Sequence, residues 1–324
     1  MKFFENKKIL YRFESGGEHG FGHLNRSLEF IKFLLKKNFE VTICASRETK
    51  KYIKIQNLFF FFKDKNSSEN DFFKKVNATY KKYIIIIDLK YNYSLSSIKN
   101  LAKNNSIIFI QNFSKAVSYA DKLIIPDSHS YKRIINRNFV KSKIYFGSKY
   151  LILRDEVLNL KKKKSKKYLS INFGGTDPNN IGEIILKMLI KSNWKKKTYF
   201  MLGDGQKNND WKNKYKVPEN IIFCKFDINK LINSELVITA FGVTTYEIAY
   251  HGVKNLIILN DDKKKFKLSN KFINVKNLGF YKKLNYNYFY KNINFYWNKK
   301  NKFKNKKLTL DKYAKSRFFN LLKK

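Results

Sequence analysis

The sequence predicts an α/β protein of two doubly wound domains, each a parallel sheet with helices on both faces. Three observations carry that expectation. At 324 residues the chain is long for a single core, so two domains are the default. Short, continuous apolar runs alternate with amphipathic stretches, the pattern of strands buried on both faces. The alternation then restarts after KKKKSKK at 161–167, which reads as a connector. The expected boundaries are 1–160, the connector 161–167, and 168–324 for a second domain with a basic tail.

In the first half, 9–13 reads as a strand, and 24–36 as a helix with Leu28, Ile31, Leu34 and Leu35 on one face. Strands follow at 41–45, at 83–87 where IIIID ends in Asp88, at 106–110 and at 122–125. The run at 59–62, FFFF, reads as a buried strand. After the connector come strands at 168–173, 198–202, 221–225, 236–239 and 255–259, with helices at 180–192, 228–233 and 244–250. From about Tyr281 the chain turns rich in Asn, Lys and Tyr; it reads as loops and final helices that pack back across the first domain.

Composition narrows the function classes. Hydrophobic residues make up 43% and aromatics 17%, enough for a packed globule and unlike a disordered chain. Lys and Arg number 68 against 25 Asp and Glu, a net +43. Such charge attracts phosphate polyanions and anionic lipid, but the lysines are dispersed and no nucleic-acid module accompanies them. The expectation is therefore no specific nucleic-acid partner, with peripheral attraction to anionic membrane through the basic surface. A genome biased toward A and T codons supplies a second account of the excess. Cys44 and Cys224 lie far apart, without metal spacing, and read as buried thiols in a reducing compartment. The N-terminal segment lacks signal-peptide form, and no run of about 18 uncharged apolar residues occurs. The protein is expected to be cytoplasmic.

Three glycine-bearing segments each follow a predicted strand and precede a predicted helix, where open α/β sheets bind ligands. In GFGHLNR, residues 20–26, Gly20 and Gly22 flank Phe21, and His23 opens a helix on which Arg26 shares its face. A helix N-terminus disfavours imidazolium, and a neutral imidazole is what a general base needs; capping the helix is the other role open to His23. Arg26 can orient the helix, neutralise phosphate or make a structural salt bridge. In FGGTDPNN, Gly174 and Gly175 allow close backbone approach, Thr176 and Asp177 offer polar groups, and the following helix offers free N–H groups to phosphate; a structural turn uses the same residues. The segment does not match a P-loop. In GVTTYEIAYHG, residues 242–252, Thr244 and Thr245 can cap a helix, and Glu247 can complement the helix dipole or hold both hydroxyls of a ribose. His251, near the end of that helix, reads as structural.

Together these segments resemble the UDP-2,4-diacetamido-2,4,6-trideoxy-β-L-altropyranose hydrolases of pseudaminic acid biosynthesis and the related spore-coat polysaccharide proteins. GFGHLNR matches their G-x-G-H-x-x-R signature, and GSKYLILRDE at 147–156 is similar to a segment before their domain connector. GVTTYEIAYHG also looks like the ribose and diphosphate segment of the related peptidoglycan N-acetylglucosaminyltransferase. The resemblance runs in order from about residue 9 to residue 260. It implies a GT-B architecture, two Rossmann-like domains facing across a cleft, with UDP held mainly by the second. It further implies metal-independent, cofactor-free hydrolysis of an anomeric C–O bond with inversion, His23 activating water. Gly174, Gly175 and Thr176 would face the diphosphate, Gly242, Thr244 and Thr245 would complete that pocket, Glu247 would hold the ribose, and Phe226 would lie near the uracil. Two departures stand out. Tyr91 comes one place later after Asp88 than the family's tyrosine, and residues 260–280 replace an Asn/Gln motif for which Asn260 or Asn270 would have to serve.

The expected function is a nucleotide-sugar hydrolase acting on a UDP-linked diacetamido-trideoxyhexose, or a close analogue, for nonulosonic acid and surface polysaccharide. The alternatives are a glycosyltransferase on the same fold, with His23 as base toward a hydroxyl acceptor, and a noncatalytic polyanion-binding protein.

Overall fold

The computed structural model describes residues 8–16, 21–126, 142–161, 166–203, 210–259, 275–299 and 310–323. They form two compact units: Met1–Ser15, Gly22–Arg154 and Thr309–Lys324 make the first, and Gly16–Phe21 with Asp155–Leu308 the second. The last residues, assigned by the sequence to the second domain, therefore belong with the first.

The first unit runs β1 (Lys8–Phe13), α1 (Gly22–Leu35), β2 (Glu40–Ser46), α2 (Arg47–Lys50), β3 (Phe59–Lys63), α3 (Glu69–Thr79), β4 (Ile84–Asp88), α4 (Leu95–Ala102), β5 (Ser106–Ile110), β6 (Lys122–Ile125) and β7 (Lys143–Phe146). These seven strands form one parallel sheet in the order β3-β2-β1-β4-β5-β6-β7. Both faces must be covered, so β1 and β4 are buried apart from Lys8, and apolar apart from Lys8, Arg12 and Asp88. Serines start the helices: Ser68 Oγ accepts from Asp71 N–H ahead of α3, and Ser94 Oγ from Ser97 N–H ahead of α4. The strand order reverses between β1 and β4, so their carboxyl ends frame a crevice of the kind that takes ligands in such sheets.

The second unit repeats the plan with α5 (Asp155–Asn159), β8 (Lys166–Asn172), α6 (Ile181–Lys191), β9 (Thr198–Leu202), α7 (Trp211–Lys214), β10 (Ile221–Lys225), α8 (Ile228–Ile232), β11 (Ser234–Ala240), α9 (Val243–Tyr250), β12 (Asn255–Leu259), β13 (Val275–Phe280) and α10 (Tyr286–Asn298). Its parallel sheet has the order β10-β9-β8-β11-β12-β13, reversing between β8 and β11. Leu169, Ile171, Ile238 and Leu256 pack with Ile185, Leu189 and Phe289 of the covering helices.

Three features differ from expectation. The FFFF run is a strand, but β3 is the sheet edge: Phe59 is 66% exposed, and Arg47 and Lys50 cover Phe60 and Phe62 with cation–π contacts. The strands β7 and β13 went unseen: KIYF has only two aliphatic or aromatic neighbours beyond its isoleucine, and VKNLGF is too polar to read as an apolar run. Cys44 is buried, with its thiol pushed by burial up to about 12, whereas Cys224 is only half-buried; both are free thiols.

A final helix, α11 (Ala314–Lys323), completes the first unit. Phe318 packs on Phe30 of α1 with ring centroids 4.5 Å apart, and Phe319 packs on Phe33 and Phe39. Lys122, 6% exposed, donates to the Leu321 carbonyl at the end of α11, where a cation complements the helix dipole. Phe318→Ala should destabilise the protein by about 3–5 kcal/mol, read as a lower midpoint in urea unfolding followed by circular dichroism.

Candidate functional site

The reversal point of the first sheet gathers four polar side chains. His23 stands in the first turn of α1, Arg26 one turn further on, Asp88 is the last residue of β4, and Gln111 directly follows β5. Asp88 has no exposed surface and Arg26 only 4%. Arg26 grips Asp88 with two parallel bonds, Nε to Oδ2 at 2.8 Å and Nη2 to Oδ1, while its Nη1 donates to Gln111 Oε1 at 3.0 Å. Ser27 Oγ adds a bond to Asp88 Oδ2 at 3.3 Å. Burial alone would raise the Asp88 carboxyl, but the Arg26 guanidinium and the His23 ring outweigh it and hold the group well below the usual carboxylate range.

That charge state fixes the imidazole. Asp88 Oδ1 lies 2.8 Å from His23 Nδ1, and an ionised carboxylate only accepts. Nδ1 must carry the proton and donate it, so in the neutral ring the lone pair is on Nε2. Arg26 Nη2 lies 3.1 Å from the same Nδ1 because both donors converge on one oxygen. The His23 side chain is 17% exposed, enough for its outer edge to meet a small reactant. Of the roles left open for Arg26, the structure shows the buried salt bridge.

A second buried network braces the chain just before the glycine loop. Arg12, 1% exposed, donates to both oxygens of Glu69, to the carbonyls of Phe13 and Cys44 at 3.0 and 3.1 Å, and to Glu14. Glu14 in turn accepts from Ser46 N–H at 3.0 Å, Ser46 Oγ at 2.6 Å and the Thr49 hydroxyl. One guanidinium thus ties β1 to β2 and α3 at the point where the chain leaves the sheet.

In the second unit the loops after β8 and β11 occupy the matching reversal point. Gly174, at φ +90°, donates to Asn172 Oδ1 at 3.1 Å, and the space where its Cβ would stand is open. Gly175 and Thr176 are half-buried beside it. Asp177 is not turned to a ligand: it is 3% exposed, and its two oxygens accept from the N–H groups of Ile181 and Gly182 at 3.0 and 2.8 Å. Two of the free N–H groups expected at this helix start are therefore taken by the chain's own carboxylate. Burial raises the Asp177 carboxyl despite those two bonds.

The start of α9 is arranged differently. Thr245 Oγ1 accepts from Gly242 N–H at 3.3 Å and donates to the Ala240 carbonyl at 3.2 Å, so this hydroxyl shapes the turn. Gly242 is exposed, a Cβ there would meet no heavy atom within 4 Å, and Thr244 is half-buried. Glu247 is 1% exposed on the same helix. Phe226, in the turn after β10, is 36% exposed. His251 is structural, its Nε2–H donating to the Val157 carbonyl at 2.8 Å.

Gly22 opens α1, while Gly20, Asn260 and Asn270 lie outside the described residues. Sequence reasoning missed Gln111 and Gly203. Each follows an apolar strand, the signal that marked the other loops. Gly203 is obligatory: a Cβ there would fall 2.3 Å from the Gly175 carbonyl oxygen and 2.5 Å from that of Gly174, and backbone cannot yield.

Because the folded Asp88 carboxyl lies below its unfolded value, its contribution to stability is complete above about pH 4 and lost as pH falls below it. Asp88→Asn should cost about 3–5 kcal/mol at neutral pH by stranding Arg26. Its urea midpoint should also fall less steeply than that of the parent between about pH 5 and pH 3.

No family model matches the chain. The uncharacterized protein MJ1062 of Methanocaldococcus jannaschii is 26% identical over 275 residues, covering 79% of this chain and 56% of that protein, so the chain spans about half the length of this relative. Among solved structures, the UDP-GlcNAc 2-epimerase of M. jannaschii, in complex with UDP-GlcNAc and UDP, has a TM-score of 0.64 at 13% identity, covering 98% of this chain and 99% of that one. MurG of Acinetobacter baumannii has a TM-score of 0.60 at 11% identity, covering 98% and 99%. At such identities the likeness is one of fold, and with the two parallel sheets it shows a two-domain, Rossmann-like GT-B protein.

Proposed function

We propose that the protein is a nucleotide-sugar hydrolase that cleaves the anomeric C–O bond of a UDP-linked diacetamido-trideoxyhexose, or a close analogue, for nonulosonic acid and surface polysaccharide. The observation that carries this reading is the His23–Asp88 pair, in which a buried, Arg26-held carboxylate orients the ring with its Nε2 lone pair outward. That is the arrangement of a general base. His23 takes a proton from water as the water oxygen bonds to the anomeric carbon, and the C–O bond to the diphosphate breaks with UDP leaving as the anion. Attack opposite the leaving group inverts the centre. Asp88 stabilises the imidazolium formed.

The second unit would bind the nucleotide. Gly174 and Gly242 stand at the ends of β8 and β11, which pair directly, and both have open space where a side chain would be. A diphosphate would lie there, held by loop N–H groups and the α9 start. Glu247 would take the ribose hydroxyls and Phe226 the uracil. The solved structures with UDP or UDP-GlcNAc bound share this fold, which supports the nucleotide half of the reading.

His23→Ala should abolish release of UDP from the sugar nucleotide while leaving UDP affinity, by isothermal calorimetry, within about two-fold; base removal at such sites costs about 10²–10⁴ in rate. Undiminished turnover would end the assignment of the base. The reaction class follows from incubating the protein with a UDP-sugar and no acceptor, with products followed by NMR. Free sugar and UDP in equal amounts support hydrolysis. Negligible release until a hydroxyl acceptor is added means a transferase, and a sugar that stays on UDP with altered configuration means an epimerase. Absence of UDP affinity together with salt-sensitive polyanion binding would leave only a noncatalytic role.

A further inference from the structure

Helix α10 turns one face to the core and the other outward. Phe289 and Ile293 are buried with the second unit's core, whereas Tyr288, Tyr290 and Phe295 are 42%, 41% and 56% exposed. Lys282, Lys283 and Lys291 stand exposed around them, and Lys299 lies 5.3 Å from the Phe295 ring centroid. Lys283 and Tyr288 also line a cavity of about 490 Å³ together with Lys276 and Asn285.

Little negative charge offsets these lysines. The helix packs on α6 and β11, whose acids are already paired, Glu183 with Lys187 and Lys214, and Glu235 with Lys254. Lys254 also donates to the Tyr296 and Lys299 carbonyls at 3.1 and 3.0 Å, so it closes the end of α10. In the sequence, residues 263–310 contain fifteen lysines, twelve aromatics and no Asp, Glu or Arg.

We propose that the outer face of α10 docks on an anionic phospholipid bilayer, with Tyr288 and Phe295 at the headgroup level and the surrounding lysines against lipid phosphate. Aromatic rings favour that interface, and each lysine near an anionic surface adds roughly five-fold to the partition coefficient. Arginine, the residue that stacks on bases and forks onto phosphates, is absent from residues 263–310, which favours a bilayer over single-stranded nucleic acid. None of this rests on the proposed hydrolase activity.

The test is co-sedimentation of the intact protein with large vesicles of equal parts phosphatidylcholine and phosphatidylglycerol, against vesicles of phosphatidylcholine alone. The parent should bind the mixed vesicles only, and added salt should weaken the binding. K282E/K283E/K291E should lower the partition coefficient by roughly a hundred-fold or more. Tyr288→Ser with Phe295→Ser should weaken binding while leaving its salt dependence. The control K36E/K37E/K65E makes the same change in net charge on exposed residues of the first unit, and should bind as the parent does. Equal loss in the control, retained binding in the α10 variants, or binding to single-stranded RNA with none to mixed vesicles would each overturn the proposal.

Discussion

The Asp88 carboxylate is the point on which the rest of the first unit's site depends. A charge with no exposed surface survives only if it is paired and hydrogen-bonded. Arg26 supplies two bonds, Ser27 one and His23 one, and every one of these partners comes from a single helix. The interaction therefore locks α1 against the end of β4, and the orientation of the imidazole follows from the same geometry. Gln111 finishes the arrangement by accepting from Arg26 while held at φ +53°, a left-handed conformation that costs a residue with a side chain about 1 kcal/mol or more. Stability and chemistry at this place are not separable: the bond that orients the ring also satisfies the buried ion.

The second unit shows how two similar loops acquire different duties. Both precede helices, and both contain glycine and threonine. At α6 the helix start is filled by Asp177, which supplies internally the anion that a helix N-terminus attracts. At α9 the capping threonine spends its hydroxyl on the turn. Gly203 allows β9 to end directly beneath the carbonyls of Gly174 and Gly175, which sets the height of the first loop without any side-chain contact.

Much of this was legible in the sequence because periodicity is a local property. The apolar runs that became β1, β4 and β5 announce themselves, and so do the glycines that follow β8 and β11. What escaped was decided by partners distant in the chain. FFFF has the composition of a buried strand, but its exposure depends on having β2 on one side only. Asp177 looked like a ligand residue until the turn brought it onto its own helix. Arg26 had several credible roles, and the choice among them required Asp88, 62 residues away, and Gln111, 85 residues away. The Arg12 cluster, which joins β1 to Glu69, left no mark in any local pattern.

The C-terminal helix has a consequence for how the protein is made. Phe30, Phe33 and Phe39 are translated well before the rings that cover them, Phe318 and Phe319, which stand about 280 residues further along. At ordinary rates of synthesis, roughly 5–20 residues per second, the interval is of the order of a quarter of a minute to a minute. Throughout that time a nascent first domain carries an uncovered aromatic strip, the kind of surface that chaperones hold and that neighbouring chains on a polysome find. Its folding is finished only once α11 has emerged from the ribosome.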